Sequence, residues 1–196
     1  MTRIIGGHAG GRRLQTQRGS HTRPSSDRVR EALFSTIESW CGSLSGLRFL
    51  DLYAGSGAVG LEAWSRGAGV VTLVEQDRRA SALIRDNARA VGFRTPQVLT
   101  ASVALTLRRP PAAPYDLAFL DPPYPLDTDS VDSDLQALAD HGWLVPGALV
   151  AVERSSRSTA PSFPTGFSEL REKQYGETTL WYGHAASSSD AAAAAD

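Results

Sequence analysis

The chain has 196 residues, 41% apolar and 21% charged, with a formal net charge of −1. That size suits one core with little room for a second, and no apolar run approaches the ~20 residues of a membrane-spanning helix. The lone Cys41 excludes an internal disulfide and a multi-cysteine metal site, and the amino terminus lacks the apolar stretch of a signal peptide, so a reducing cytoplasm is the expected setting.

Residues 1–24 read as a basic hairpin or arm: Arg3-Ile4-Ile5, a glycine-rich turn around Gly6-Gly7 and Gly10-Gly11, then Arg12-Arg13-Leu14. Residues 1–30 hold seven arginines against the single acid Asp27. This asymmetry points to a local anion-binding face, with a solvated arm as the plainer alternative. Ser25 or Ser26 is a candidate cap for a helix over Asp27–Trp40, whose apolar positions recur at helical spacing and which ends near Gly42.

Alternation begins at residue 47. Strands are expected at 47–52, 70–75, 96–100, 115–120 and 149–153, separated by helices at 58–66, 78–91, 103–107 and 130–141. Strands alternating with helices imply an α/β domain with a parallel sheet wrapped on both faces. Residues 167–174 and 178–182 then form a closing antiparallel pair around Tyr175-Gly176-Glu177. The domain so drawn covers 25–184, and the alanine- and serine-rich residues 185–196 are an expected disordered tail.

Two segments carry chemistry. In the first, Asp51-Leu52-Tyr53-Ala54-Gly55-Ser56-Gly57 leads from a strand into a helix, and Glu75 ends the next strand. Glycines there let backbone approach a ligand, and an acid in that place holds ribose hydroxyls. Asp51 would repel a pyrophosphate but attract an ammonium group, which favours S-adenosylmethionine over a dinucleotide. Tyr53, Ala54 and Gln76 flank the same site.

In the second, Asp121-Pro122-Pro123-Tyr124 ends an apolar strand. Two prolines remove two backbone donors and stiffen the chain. The result is a rigid corner bearing an acid, carbonyls and an aromatic ring, suited to a planar amine. An ordinary strand-terminating turn is the bland alternative.

The run Thr22-Arg23-Pro24-Ser25-Ser26-Asp27-Arg28-Val29-Arg30-Glu31-Ala32-Leu33-Phe34, together with Leu50-Asp51-Leu52-Tyr53-Ala54-Gly55-Ser56-Gly57 and the Asp-Pro-Pro-Tyr corner, resembles the RsmD family over roughly residues 1–184. That family methylates N2 of one guanine in bacterial 16S rRNA. The resemblance implies a Rossmann-like class I S-adenosylmethionine-dependent methyltransferase with a mostly parallel seven-stranded sheet. It implies Asp51, Tyr53, Ala54, Gly55, Gly57, Glu75, Gln76 and Ser102 at the cofactor, and Asp121, Pro122 and Tyr124 at the target base. Arg12, Arg13, Thr22, Arg23 and Pro24 are implied on the RNA side, with 16S rRNA or the assembling small ribosomal subunit as partner, the protein a monomer, and no metal. Relatives often place an acid after the third strand to contact the adenine amine. Here the residues are Thr100-Ala101-Ser102, so Ser102 or a backbone group is the expected substitute. The rival readings are an N6-adenine DNA methyltransferase, a non-catalytic RNA-binding module and a nicotinamide-dependent oxidoreductase, the last disfavoured by Asp51.

Overall fold

The computed structural model describes residues 2–16, 27–124 and 126–186. The proposed caps Ser25 and Ser26, the Thr22-Arg23-Pro24 loop and tail residues 187–196 lie outside that set. The chain divides into two compact units, Met1–Ser102 and Val103–Asp196.

The first unit opens with a hairpin of β1 (Thr2–Arg3) and β2 (Arg13–Leu14), paired antiparallel. Then follow α1 (Asp27–Cys41), β3 (Arg48–Leu52), α2 (Ala58–Ser65), β4 (Val70–Val74), α3 (Arg78–Val91) and β5 (Gln97–Leu99). β4 pairs in parallel with both β3 and β5. β3 and β4 bury four consecutive residues each, which marks strands covered on both faces. α3 presents Ala80, Ile84, Ala88 and Val91 inward at helical spacing. The Asp77 carboxylate caps it by accepting from Ala80 N at 2.8 Å, and left-handed Gly92 ends it.

The hairpin is seated on α2 through its main chain. The amides of Ile5 and Gly6 each donate to the wholly buried Glu62 carboxylate at 2.7 Å. Ala9 N donates to Ser65 Oγ at 2.9 Å, and that hydroxyl donates in turn to Gly6 O at 2.6 Å. Gly7 has φ +74°, and a Cβ there would fall 1.9 Å from Ser65 O. Arg66 completes the seat, bonding Glu62 at 2.9 Å and reaching Glu38 and Glu31 of α1 at 3.0 and 3.1 Å. With Ile4, Ala9 and Leu14 also buried, residues 2–14 are a docked element rather than a solvated arm.

The second unit contains α4 (Val103–Leu107), β6 (Tyr115–Leu120), α5 (Thr128–Asp140), β7 (Leu144–Ser155), β8 (Ser168–Tyr175) and β9 (Thr178–His184). β6 and β7 are parallel, whereas β9 runs antiparallel to β7 and β8. β7 starts five residues before the expected Leu149. Pro146-Gly147 reads as a loop, but the strand absorbs it at a register shift opposite Tyr115 and Leu117. α5 starts at Thr128 rather than Ser130, because Asp127 is its cap.

The strands compose a mostly parallel seven-stranded sheet, in the order β5-β4-β3-β6-β7-β9-β8. With its helices this is the expected α/β, Rossmann-like architecture. Among the described residues no helix is long and apolar enough to cross a membrane.

Candidate functional site

In the first unit the chemistry lies where β3 and β4 end. Asp51 is only 2% exposed, and its Oδ2 accepts the Gly60 amide hydrogen at 2.8 Å. Burial pushes its carboxyl up to about 7; the Gly60 bond opposes that rise and the charge of Glu75 adds to it. A Cβ on Gly60 would lie 2.7 Å from Leu73 and 3.0 Å from Asp51 Oδ2, so glycine is what allows this amide to reach the carboxylate.

The turn that follows is tightly wound. Tyr53 has φ +62°, a conformation uncommon outside glycine, and Gly55 and Gly57 have φ +56° and +79°. Ala54 N donates to Val74 O at 3.0 Å and Gly57 N to Ala54 O at 2.7 Å. Glu75 holds both sides of the loop. Its Oε2 accepts from Gly55 N at 2.9 Å and its Oε1 from Asp77 N at 2.8 Å. Buried Asn87 of α3 donates to Ser56 O at 3.0 Å and to Gln15 O at 2.9 Å, and accepts from Gln15 N at 2.8 Å. One side chain thus ties the glycine loop to the hairpin's exit.

This donor set fits a cofactor with a cationic end and a diol. Each Glu75 oxygen retains acceptor capacity beyond its one amide bond. An ammonium beside Asp51 would restore the charge that burial disfavours, whereas a phosphate would meet two carboxylates. Gln76 is exposed and Ser102 half-buried. Near Ser102, the Thr100 hydroxyl accepts from Arg85 at 3.3 Å.

In the second unit β6 delivers Asp121, half-buried, followed by buried Pro122 and by Tyr124, 79% exposed. Leu126 N donates to Pro123 O at 2.8 Å, closing a turn behind the corner. Arg154 of β7, 8% exposed, donates to Leu126 O at 2.9 Å. Asp127 then caps α5, accepting from Ser130 N at 2.7 Å; its hydrogen bonds to Ser130 hold its carboxyl below the usual range, and Arg154 contributes in the same direction.

The hairpin arginines differ. Arg12 donates through Nη1 to Val91 O at 2.9 Å, against the last carbonyls of α3, while Arg13 is exposed. Thr22, Arg23 and Pro24 lie outside the described residues.

A family profile described as "Conserved hypothetical protein 95" matches residues 2–184. The chain is 35% identical over 191 residues to ribosomal RNA small subunit methyltransferase D of Escherichia coli K12, covering 96% of this chain and 93% of that protein. The Haemophilus influenzae protein of the same name is 32% identical over 89% of each. Among solved structures, Escherichia coli YhhF, provisionally named a methyltransferase, aligns with a TM-score of 0.82 at 33% identity, over 94% of this chain and 97% of that one. A Thermus thermophilus protein of unassigned function aligns at 0.75 and 30%, over 95% and 99%.

The chain belongs to this methyltransferase family. Its site contains more than the motifs announce. Gly60 could have been found, as the third glycine of Gly55-Ser56-Gly57-Ala58-Val59-Gly60. Asn87 and Arg154 carry no such signal, because each bonds main-chain groups distant in sequence.

Proposed function

We propose that this chain transfers a methyl group from S-adenosylmethionine to the exocyclic N2 amine of a guanine in 16S rRNA, acting as a monomer in the cytoplasm on the RNA or the assembling small subunit. The observation that carries the reading is the Asp121-Pro122-Pro123-Tyr124 corner. It ends a buried strand, exposes its aromatic ring and is backed by a turn that Arg154 holds. The relatives' names supply ribosomal RNA, and the family resemblance supplies the guanine.

When bound, the cofactor supplies an electrophilic sulfonium methyl. Asp51 receives its ammonium end and Glu75 its ribose, while Tyr53, Ala54, Gly55, Gly57, Gln76 and Ser102 line its path. A guanine amine is a poor nucleophile because its lone pair is delocalised into the ring. The Asp121 carboxylate and Pro122 carbonyl accept its two hydrogens, which favours a pyramidal nitrogen with the lone pair free to attack. Catalysis is then positioning plus electrostatic stabilisation of charge growing on nitrogen. Tyr124 stacks on the base and helps offset the few kcal/mol needed to unstack it. After transfer the nitrogen is acidic enough to release its proton to water.

The test is methyl transfer to small-subunit RNA and to partly assembled subunits lacking the modification, followed by mapping of the methylated nucleotide. A single methylated guanine amine is expected. Incorporation only into DNA, or into adenine, overturns the proposal.

A further inference from the structure

Charge in this near-neutral chain is segregated by helix. Residues 127–140, which span α5 and its cap, hold five aspartates and no basic residue. Residues 78–94, which span α3 and its exit, hold five arginines and one acid, Asp86. Arg78, Arg85 and Arg89 are exposed and spaced i, i+7 and i+11. At 3.6 residues per turn they fall within about 40° of one another around the axis and extend about 16 Å along it. Arg79 and Arg94 are also exposed.

The hairpin meets α3 away from this stripe, at its end and at Asn87, which bonds Gln15. Arg12 bonds Val91 O at the end of α3, and exposed Arg13 follows it in the chain. Arg85 is steadied by donating to Val98 O at 3.1 Å and Thr100 Oγ1 at 3.3 Å, which does not exhaust its five N–H donors. A helix face that serves only solubility mixes signs at i,i+4. α3 offers one local ion pair, Arg89 with Asp86. Arginine forks arranged in line suit phosphate oxygens.

We propose that Arg78, Arg85 and Arg89 form a track for the phosphates of the substrate RNA. The inference rests on the ribosomal-RNA reading and adds to it a helix face that neither motif contains. The partner is the RNA backbone, recognised by charge and not by base.

The test compares wild type with a combined Arg78→Gln, Arg85→Gln and Arg89→Gln variant, and with a milder Arg85→Gln and Arg89→Gln variant should the triple change lower stability. Binding to protein-free small-subunit RNA is measured against salt. Three lost phosphate contacts reduce the slope of log affinity against log salt by about 2 units for single-stranded RNA. The KM for RNA is expected to rise about tenfold or more, with kcat and cofactor affinity unchanged. An unchanged slope and KM overturn the track. So does a defect seen with assembled subunits but not with protein-free RNA, which would assign the face to a protein contact. Failure of the parent reading looks different: wild type itself would then transfer no methyl group to small-subunit RNA or to partly assembled subunits.

Discussion

The Asp51 carboxylate, almost wholly buried, accepts the amide hydrogen of Gly60 at 2.8 Å. Because burial lifts its carboxyl to about 7, the folded chain retains a proton there that the unfolded chain loses near pH 4. Its contribution to stability therefore declines as pH rises from about 4 to about 7. Cofactor affinity follows the opposite trend, since an ammonium group needs the ionised carboxylate. Affinity for S-adenosylmethionine is expected to rise between pH 6 and 8, with a fractional proton released on binding at pH 6. Calorimetry in two buffers of different ionisation heat measures that proton. Asp51→Asn should abolish the release and weaken binding most at pH 8; retention of the wild-type pH profile would refute the role.

Asp121→Ala should lower kcat by at least about 1000-fold while leaving the Kd for S-adenosylmethionine within about threefold of wild type, because in the proposed mechanism the lost contacts are those to the reacting amine. Asp121→Asn, which keeps an acceptor, should be milder. Single-turnover transfer and cofactor calorimetry separate the two effects.

Under the proposed mechanism Arg154 acts on the reaction through Leu126 O, behind the corner. Arg154→Ala leaves that carbonyl short of a partner and should lower kcat about tenfold with cofactor affinity unchanged. Arg154→Lys should recover part of the loss. A matched fall in stability with no change in kcat would reduce the residue to a packing element.

The two hairpin arginines should separate experimentally. Arg12→Ala removes a hydrogen bond to the last turn of α3 and should cost on the order of 1 kcal/mol. Arg13→Ala should leave stability unchanged and reduce the salt slope of RNA binding by about one unit. Denaturant unfolding and salt-dependent RNA titration of both variants give four numbers that must fall in this pattern.

Glu62→Ala should be the most damaging change far from the chemistry. It orphans two backbone amides and the inner edge of Arg66, a loss of about 3–5 kcal/mol. In a chain of this size that corresponds to a midpoint lower by about 10 °C in thermal unfolding.

Periodicity made most of the fold legible. α3 and β6 fall on their expected residues because an amphipathic stripe and a continuous apolar run are local signals. The amino end of β7 was hidden, since Pro146-Gly147 normally ends a strand and only pairing with β6 carries the chain past it. The site shows the same division. Asp51, Gly55, Gly57, Glu75 and Asp121–Tyr124 announce themselves by spacing around strand ends. Arg12 was legible only in part: its basic segment suggests a phosphate ligand, and the structure adds a bond to Val91 O, 79 positions away, that no local pattern announces. Glu62, Asn87 and Arg154 are silent, because they act mostly on main-chain atoms far away in sequence, which no spacing announces.

The hairpin's seat also sets an order of events during synthesis. Residues 2–14 have little interior of their own, and the Glu62 carboxylate that accepts from their main-chain amides is made more than 50 residues later. The Val91 carbonyl that receives Arg12 comes later still. At ~5–20 residues per second the segment therefore waits several seconds, exposed, before it has anywhere to dock. The first strand pair to be translated is thus among the later pieces to be fixed, and Gly7, which alone permits the close approach to Ser65, becomes the gatekeeper of that closing step.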